Sequence, residues 1–194
     1  MNYTRQVGNE LGIDIDMTTG TGWPFGGPMV KHTESASKLV TETFDVTGDG
    51  STEKTLTLNT SNGSLQRVMA FPQSGNEGSV TNLTALVSGK SLKWTAPQGN
   101  WKVIAAYNQY GVMEVKRPSP GSSGYVVDYF SADAVANYLK YFDTKFNAAN
   151  AQWPHSFFND SYEINAANWT PKMFEEFESR RGYKLDEHLD KLLN

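Results

Sequence analysis

With 194 residues, 38% hydrophobic and 12% aromatic content, the chain is long enough for one or two domains with a real core, and its composition argues for a folded globular protein rather than a disordered one. Its 21 acidic and 17 basic residues give a net charge of −4 without long runs of either sign, which disfavours nucleic acid and anionic membrane as partners. The absence of cysteine excludes disulfides, thiolate zinc sites and cysteine nucleophiles.

In chain order, residues 1–36 read as a helix remnant, a short apolar strand Ile13-Asp14-Ile15-Asp16-Met17, and a loop from Gly20 to Pro28 that holds Trp23 and Phe25. Met1 to Gln6 has no hydrophobic signal core, and no stretch approaches the roughly 18 apolar residues of a membrane helix, so the chain reads as soluble, without a signal peptide. Residues 37–115 switch to period-two alternation, as in Trp101-Lys102-Val103 and Ala105-Ala106-Tyr107, broken by turns at Gly48-Asp49-Gly50, Asn62-Gly63 and Ser88-Gly89. Short strands at this spacing predict an antiparallel β-sandwich.

Residues 116–194 return to a helical period. Ser131 is placed to cap a helix whose apolar face is Val135, Tyr138, Leu139, Phe142 and Phe146. A buried strand at Phe157-Phe158 follows. A second helix is expected to open at Thr170 with Pro171 at its first position and to stop at Gly182, and Asp186 is expected to cap a last short helix. Helix, strand and helix around a β-rich middle predict an α/β fold interrupted by an inserted sandwich.

The stretch Ser156 to Glu163 runs two phenylalanines into Asn159, Asp160, Ser161, Tyr162 and Glu163. At the end of a parallel strand, carboxylates among amide, hydroxyl and phenol groups suit acid/base work on a polyol. The same residues would also serve as an ordinary strand exit whose acids cap a turn. The loop Gly20-Thr21-Gly22 lacks the helix that a dinucleotide site needs, because Trp23-Pro24-Phe25 and Gly26-Gly27-Pro28 follow it. Trp23 and Phe25 then either stack on a sugar ring or plug a core. His32, His155 and His188 are scattered without metal-ligand spacing. Lys116 and Arg117 are placed to pair with Asp128 and Glu114, or with a substrate carboxylate.

Six segments in order carry a resemblance to a known family: Gly20 to Pro28, Ala96 to Trp101, Lys116 to Gly121, Val127 to Ser131, Phe157 to Glu163, and Trp169-Thr170-Pro171 leading to Arg180-Arg181-Gly182-Tyr183. Together they resemble glycoside hydrolase family 106, the α-L-rhamnosidases. The resemblance implies a partial (β/α)8 TIM barrel interrupted by the sandwich, and inverting hydrolysis of terminal α-L-rhamnosides in polysaccharides with help from calcium. It further implies a periplasmic or extracellular location for the full-length protein.

Family members are longer, so the chain is expected to hold only a few barrel strands and the insertion, with its second carboxylate supplied by a later strand. Glu163 and Asp160 are then the catalytic candidates, and Trp23, Asn159, Tyr162, Asn168, Trp169 and Arg117 the substrate contacts; no metal ligand is assigned. Two positions depart from the family pattern: Ser123 stands in place of a glutamate and Asn168 in place of an aspartate. An open barrel edge predicts a homo-oligomer that covers it. The rival reading is a non-catalytic carbohydrate-binding or oligomerisation module.

Overall fold

A computed structural model describes residues 1–20, 22–159 and 162–193. The strands in chain order are β1 (Asp16–Met17), β2 (Gly26–Gly27), β3 (Ser37–Gly48), β4 (Glu53–Thr57), β5 (Ser64–Pro72), β6 (Thr81–Asn82), β7 (Val87–Ser88), β8 (Ser91–Thr95), β9 (Gly99–Tyr110), β10 (Tyr125–Val126) and β11 (Ser156–Phe157). The helices are α1 (Asn2–Leu11), α2 (Ala132–Ala148), α3 (Met173–Arg181) and α4 (Leu189–Leu192). The architecture is mixed α/β with mostly antiparallel pairing. No described helix is long and apolar enough to cross a membrane.

The chain forms two compact units. The first contains residues 1–37 and 110–167, the second residues 38–109 and 168–194. In the second unit one sheet runs β3-β9-β5-β6 and the other β4-β8-β7. Period-two alternation explains how they are buried: Val68 and Ala70 of β5, with Trp101, Val103, Ala105 and Tyr107 of β9, share a core with Leu92 and Trp94 of β8. The opposite faces of the same strands, Met69, Phe71, Ile104 and Ala106, pack on Trp169, Phe174, Leu185 and Leu189. Strands covered on both faces read as near-continuous apolar runs, which is why the sequence from Trp101 to Tyr107 contains only one charge. A register shift between Leu65 and Arg67 marks a bulge in β5.

Helix starts in this unit differ from the expected ones. The α3 helix begins at Met173 after a turn in which the Met173 N–H donates to the Thr170 carbonyl (3.1 Å), so Thr170 and Pro171 precede the helix. Gly182 ends α3 with φ 77°, the left-handed cap expected of it. Asp186 caps nothing, because its carboxylate accepts from Arg67 Nε at 3.2 Å.

The first unit holds β1 paired parallel to β11, with Asp16 opposite Ser156 and Met17 opposite Phe157. It also holds β2 paired antiparallel to β10. Ser131 caps α2 as expected, its hydroxyl accepting from the Ala134 N–H at 3.2 Å. The face that α2 buries is narrower than the sequence pattern, with Ala134, Tyr138 and Phe146 buried and Leu139 44% exposed. The expected buried strand at Phe157-Phe158 is exposed, at 46% and 55%, in a sheet that holds only β1 and β11 among the described strands. Gly26 is forced by close approach: a Cβ there would lie 2.1 Å from the Tyr125 carbonyl oxygen.

Candidate functional site

The parallel pair β1 and β11 positions the site in the first unit. The His155 N–H donates to Ile15 O (2.7 Å) and the Phe158 N–H to Met17 O (3.0 Å), so both chains leave the pair side by side, toward Thr19 and Asn159. At their carboxyl ends lies a cavity of about 320 Å³ whose lining includes Thr19, Phe25, Tyr129, Tyr138, Asn159 and Tyr162. Open ends of parallel strands collect such sites because the rigid ladder fixes direction while the following loops face solvent.

Two phenols organise this cavity. Tyr138, 5% exposed, donates its hydroxyl to the Thr19 carbonyl and lies 3.2 Å from the Gly26 carbonyl, linking both ends of the glycine-rich loop. The Tyr129 hydroxyl accepts from the Phe25 N–H at 2.9 Å, and its ring meets Tyr162 edge to face at 5.3 Å. Burial pushes the Tyr129 phenol up to about 12, and burial likewise raises Tyr138. Both therefore keep their protons at neutral pH, and Tyr138 remains a donor. Within the strand pair, a hydrogen bond from the Ser156 hydroxyl, with His155 beside it, holds Asp16 below the usual carboxylate range.

Tyr162 is 74% exposed, and Glu163 beside it is also exposed. Asp160 lies outside the described residues. A second cleft of about 520 Å³ has Gly22, Trp23, Lys116 and Arg117 among its lining. Trp23 and Lys116 exchange two backbone hydrogen bonds, Trp23 N–H to Lys116 O (3.2 Å) and Lys116 N–H to Trp23 O (2.7 Å). The Lys116 ammonium stands 5.3 Å from the centroid of the Trp23 ring, a cation–π contact. The peptide bond between Trp23 and Pro24 is cis.

The expected sugar contacts thus fall in three places. Asn159 and Tyr162 share the strand-end cavity, and Trp23 and Arg117 share the second cleft. Asn168 and Trp169 belong to the other unit and take structural roles there. Asn168 Oδ1 accepts from the Leu39 N–H at 2.9 Å, and Trp169, 4% exposed, packs edge-on to Phe174 in a core. The expected pairing of Lys116 and Arg117 with Asp128 and Glu114 is absent: among the described residues neither cation forms an ion pair, and Asp128 Oδ1 accepts from the Phe130 N–H. Sequence reasoning missed Thr19, Tyr129 and Tyr138 as site-forming residues. The signal lay in Tyr138, a phenol on an apolar helix face whose hydroxyl must find a buried partner.

Comparison with known proteins identifies the family. The sequence profile of glycoside hydrolase family 106, described as alpha-L-rhamnosidase, matches residues 70–193. A relative from Formosa agariphila, named "Putative beta-glucuronidase", is 33% identical over 119 residues, covering 58% of this chain and 10% of that protein. A solved structure of a rhamnosidase from Novosphingobium sp. PP1Y shares the fold with a TM-score of 0.71 over 96% of this chain and 35% of that chain, at 15% identity. The present chain therefore spans about a tenth of the first protein and about a third of the second. With the profile covering more than half of its residues, the chain belongs to glycoside hydrolase family 106, the α-L-rhamnosidase family.

Proposed function

We propose that this chain forms part of an inverting α-L-rhamnosidase acting on terminal rhamnosides of polysaccharides. In this reading β1 and β11 are strands of a partial (β/α)8 barrel, and residues 37–115 a β-sandwich inserted into it. One observation carries the reading: the parallel pair of β1 and β11 delivers Asn159 and Tyr162 to a largely apolar cavity of sugar size that also holds Thr19, Tyr129 and Tyr138, with Glu163 at the same exposed loop. Hydroxyl and amide groups around an aromatic wall suit a deoxyhexose, whose methyl and C–H faces pack while its hydroxyls are bonded.

Inversion needs one carboxylic acid to protonate the departing glycosidic oxygen and one carboxylate to take a proton from water on the opposite face of the ring, about 6.5–9.5 Å apart. Glu163, with Asp160 in the same loop, is the proposed contribution of this chain to that pair, and its partner is expected from a later strand. Asn159 and Tyr162 would orient the sugar, and the protonated Tyr138 and Tyr129 would hold the loop opposite. No group of three or more histidine, aspartate or glutamate side chains that could hold a metal occurs among the described residues. Calcium, which the resemblance implies, stays part of this proposal, and no step is routed through it. A periplasmic or extracellular location and a second copy over the exposed β11 edge belong to the same proposal, the latter supported by the exposure of Phe157 and Phe158.

Replacing Glu163 by Gln tests it. Loss of a general acid or base lowers the release of an aryl rhamnoside's leaving group by about 100-fold or more while rhamnose binding persists. Equal turnover by both proteins would remove Glu163 from the mechanism. Rhamnose binding with no hydrolysis by either would favour the carbohydrate-binding module, a reading to which the open, 74% exposed Tyr162 also lends itself.

A further inference from the structure

The cleft formed by Gly22, Trp23, Lys116 and Arg117 has a chemistry that a neutral deoxyhexose does not use. Two adjacent cations line it, and no carboxylate is among its described lining residues. In a chain of net charge −4, this is a local concentration of positive charge beside an aromatic ring. Neither cation is neutralised by an ion pair among the described residues.

The backbone holds the two cations in place. The paired hydrogen bonds between Trp23 and Lys116 lock the register of the two segments. Gly22 allows the approach: a Cβ there would sit 2.7 Å from Lys116 O and 3.0 Å from Arg117 O. Arg117 itself has φ +53°, a left-handed conformation that an L-residue with a long side chain adopts only when its surroundings impose it. Such strain is found where a side chain must be presented in one direction. The guanidinium fork matches the two coplanar oxygens of a carboxylate, and an ammonium one residue away adds a second positive charge.

We infer that this cleft binds a hexuronate unit of the glycan, with the sugar carboxylate held by Arg117, Lys116 as the second charge, and the pyranose ring against Trp23. The inference rests on the sugar-binding reading given above, and it extends that reading from a neutral terminal sugar to an acidic neighbour. Trp23 then stacks with one face shared by the Lys116 ammonium, 5.3 Å from the ring centroid, which makes the indole a hinge between the cation and the sugar.

The test is calorimetric titration of the whole 194-residue chain with a rhamnosyl-hexuronate disaccharide, and with the same disaccharide after reduction of its carboxyl group to a primary alcohol. The uronate form is expected to bind about 10-fold more tightly, the size of one charge-assisted contact at a partly exposed site. That advantage shrinks in high salt, because exposed charges are screened. In Arg117→Gln it falls below about 2-fold. The comparison within the wild-type protein needs no variant to fold.

Equal affinity for the two sugars overturns this inference and leaves rhamnoside binding standing. Binding of neither overturns both readings. Binding of the uronate disaccharide with no affinity for a neutral rhamnoside supports the acidic cleft and overturns the deoxyhexose site.

Discussion

Replacing Tyr138 by Phe removes a single oxygen from the centre of the first unit. That oxygen carries the proton donated to the Thr19 carbonyl and lies 3.2 Å from the Gly26 carbonyl, in a side chain 5% exposed. The ring would stay, still edge-on to Phe142 at 5.4 Å and packed with Val30, Val127 and Ala134, so the cavity created is smaller than a methyl group. The cost is therefore almost wholly polar. A buried carbonyl at Thr19, a residue 4% exposed, loses its donor, and leaving such an acceptor unsatisfied costs about 1–3 kcal/mol. For a chain of this length each kilocalorie lowers the melting temperature by about 2–4 °C, so calorimetry should record a fall of roughly 2–12 °C. A shift of less than about 1 °C would refute the reasoning, since it would mean that the hydroxyl bonds nothing that water does not replace.

Three further outcomes follow from the same geometry. Arg67 bonds Asp186 at 3.2 Å and Glu175 at 2.6 Å and lies over the Phe174 ring at 4.8 Å, so Arg67→Met leaves the buried Asp186 carboxylate unpaired. The expected loss is about 3 kcal/mol at neutral pH by urea titration, and no loss would contradict the pairing. Gly26→Ala drives a Cβ to 2.1 Å from the Tyr125 oxygen and should cost about 1–3 kcal/mol or prevent folding; an unchanged urea midpoint would mean that β2 and β10 are not in register as described. In alkali, the Tyr129 phenol titrates at about 12 when folded and near 10 when unfolded. The native state then holds a proton that the unfolded chain has released, so this stabilisation is complete below about pH 10 and disappears as the pH rises to about 12. A urea midpoint that stays level across that window, or phenolate absorbance rising with all nine tyrosines together near pH 10, would count against it.

Much of the secondary structure was legible locally. Alternation from Trp101 to Tyr107 announced a strand, and the structure divides those side chains between two cores as period two requires. Ser131 and Gly182 are caps whose chemistry acts within a turn of their own position, so sequence alone located both. Reading failed where a local signal had a distant competitor. Asp186 looks like a helix cap, but its carboxylate is taken by Arg67, 119 residues earlier. Phe157 and Phe158 look buried, yet both are exposed, in a sheet that holds only two of the described strands. Of the candidate site, the polar run after Phe158 was visible as composition, whereas the phenols that shape its cavity were not.

By itself the sequence determined which segments could be strand or helix, where helices are capped, and the ordered motifs that carry family membership, because these depend on neighbours along the chain. The tertiary structure decided which segments meet: β1 beside β11, Trp23 against Lys116, and Tyr138 across to Thr19, 119 residues away. Such pairings depend on separation in space, and that separation is set by packing of the whole chain, so no local window contains it.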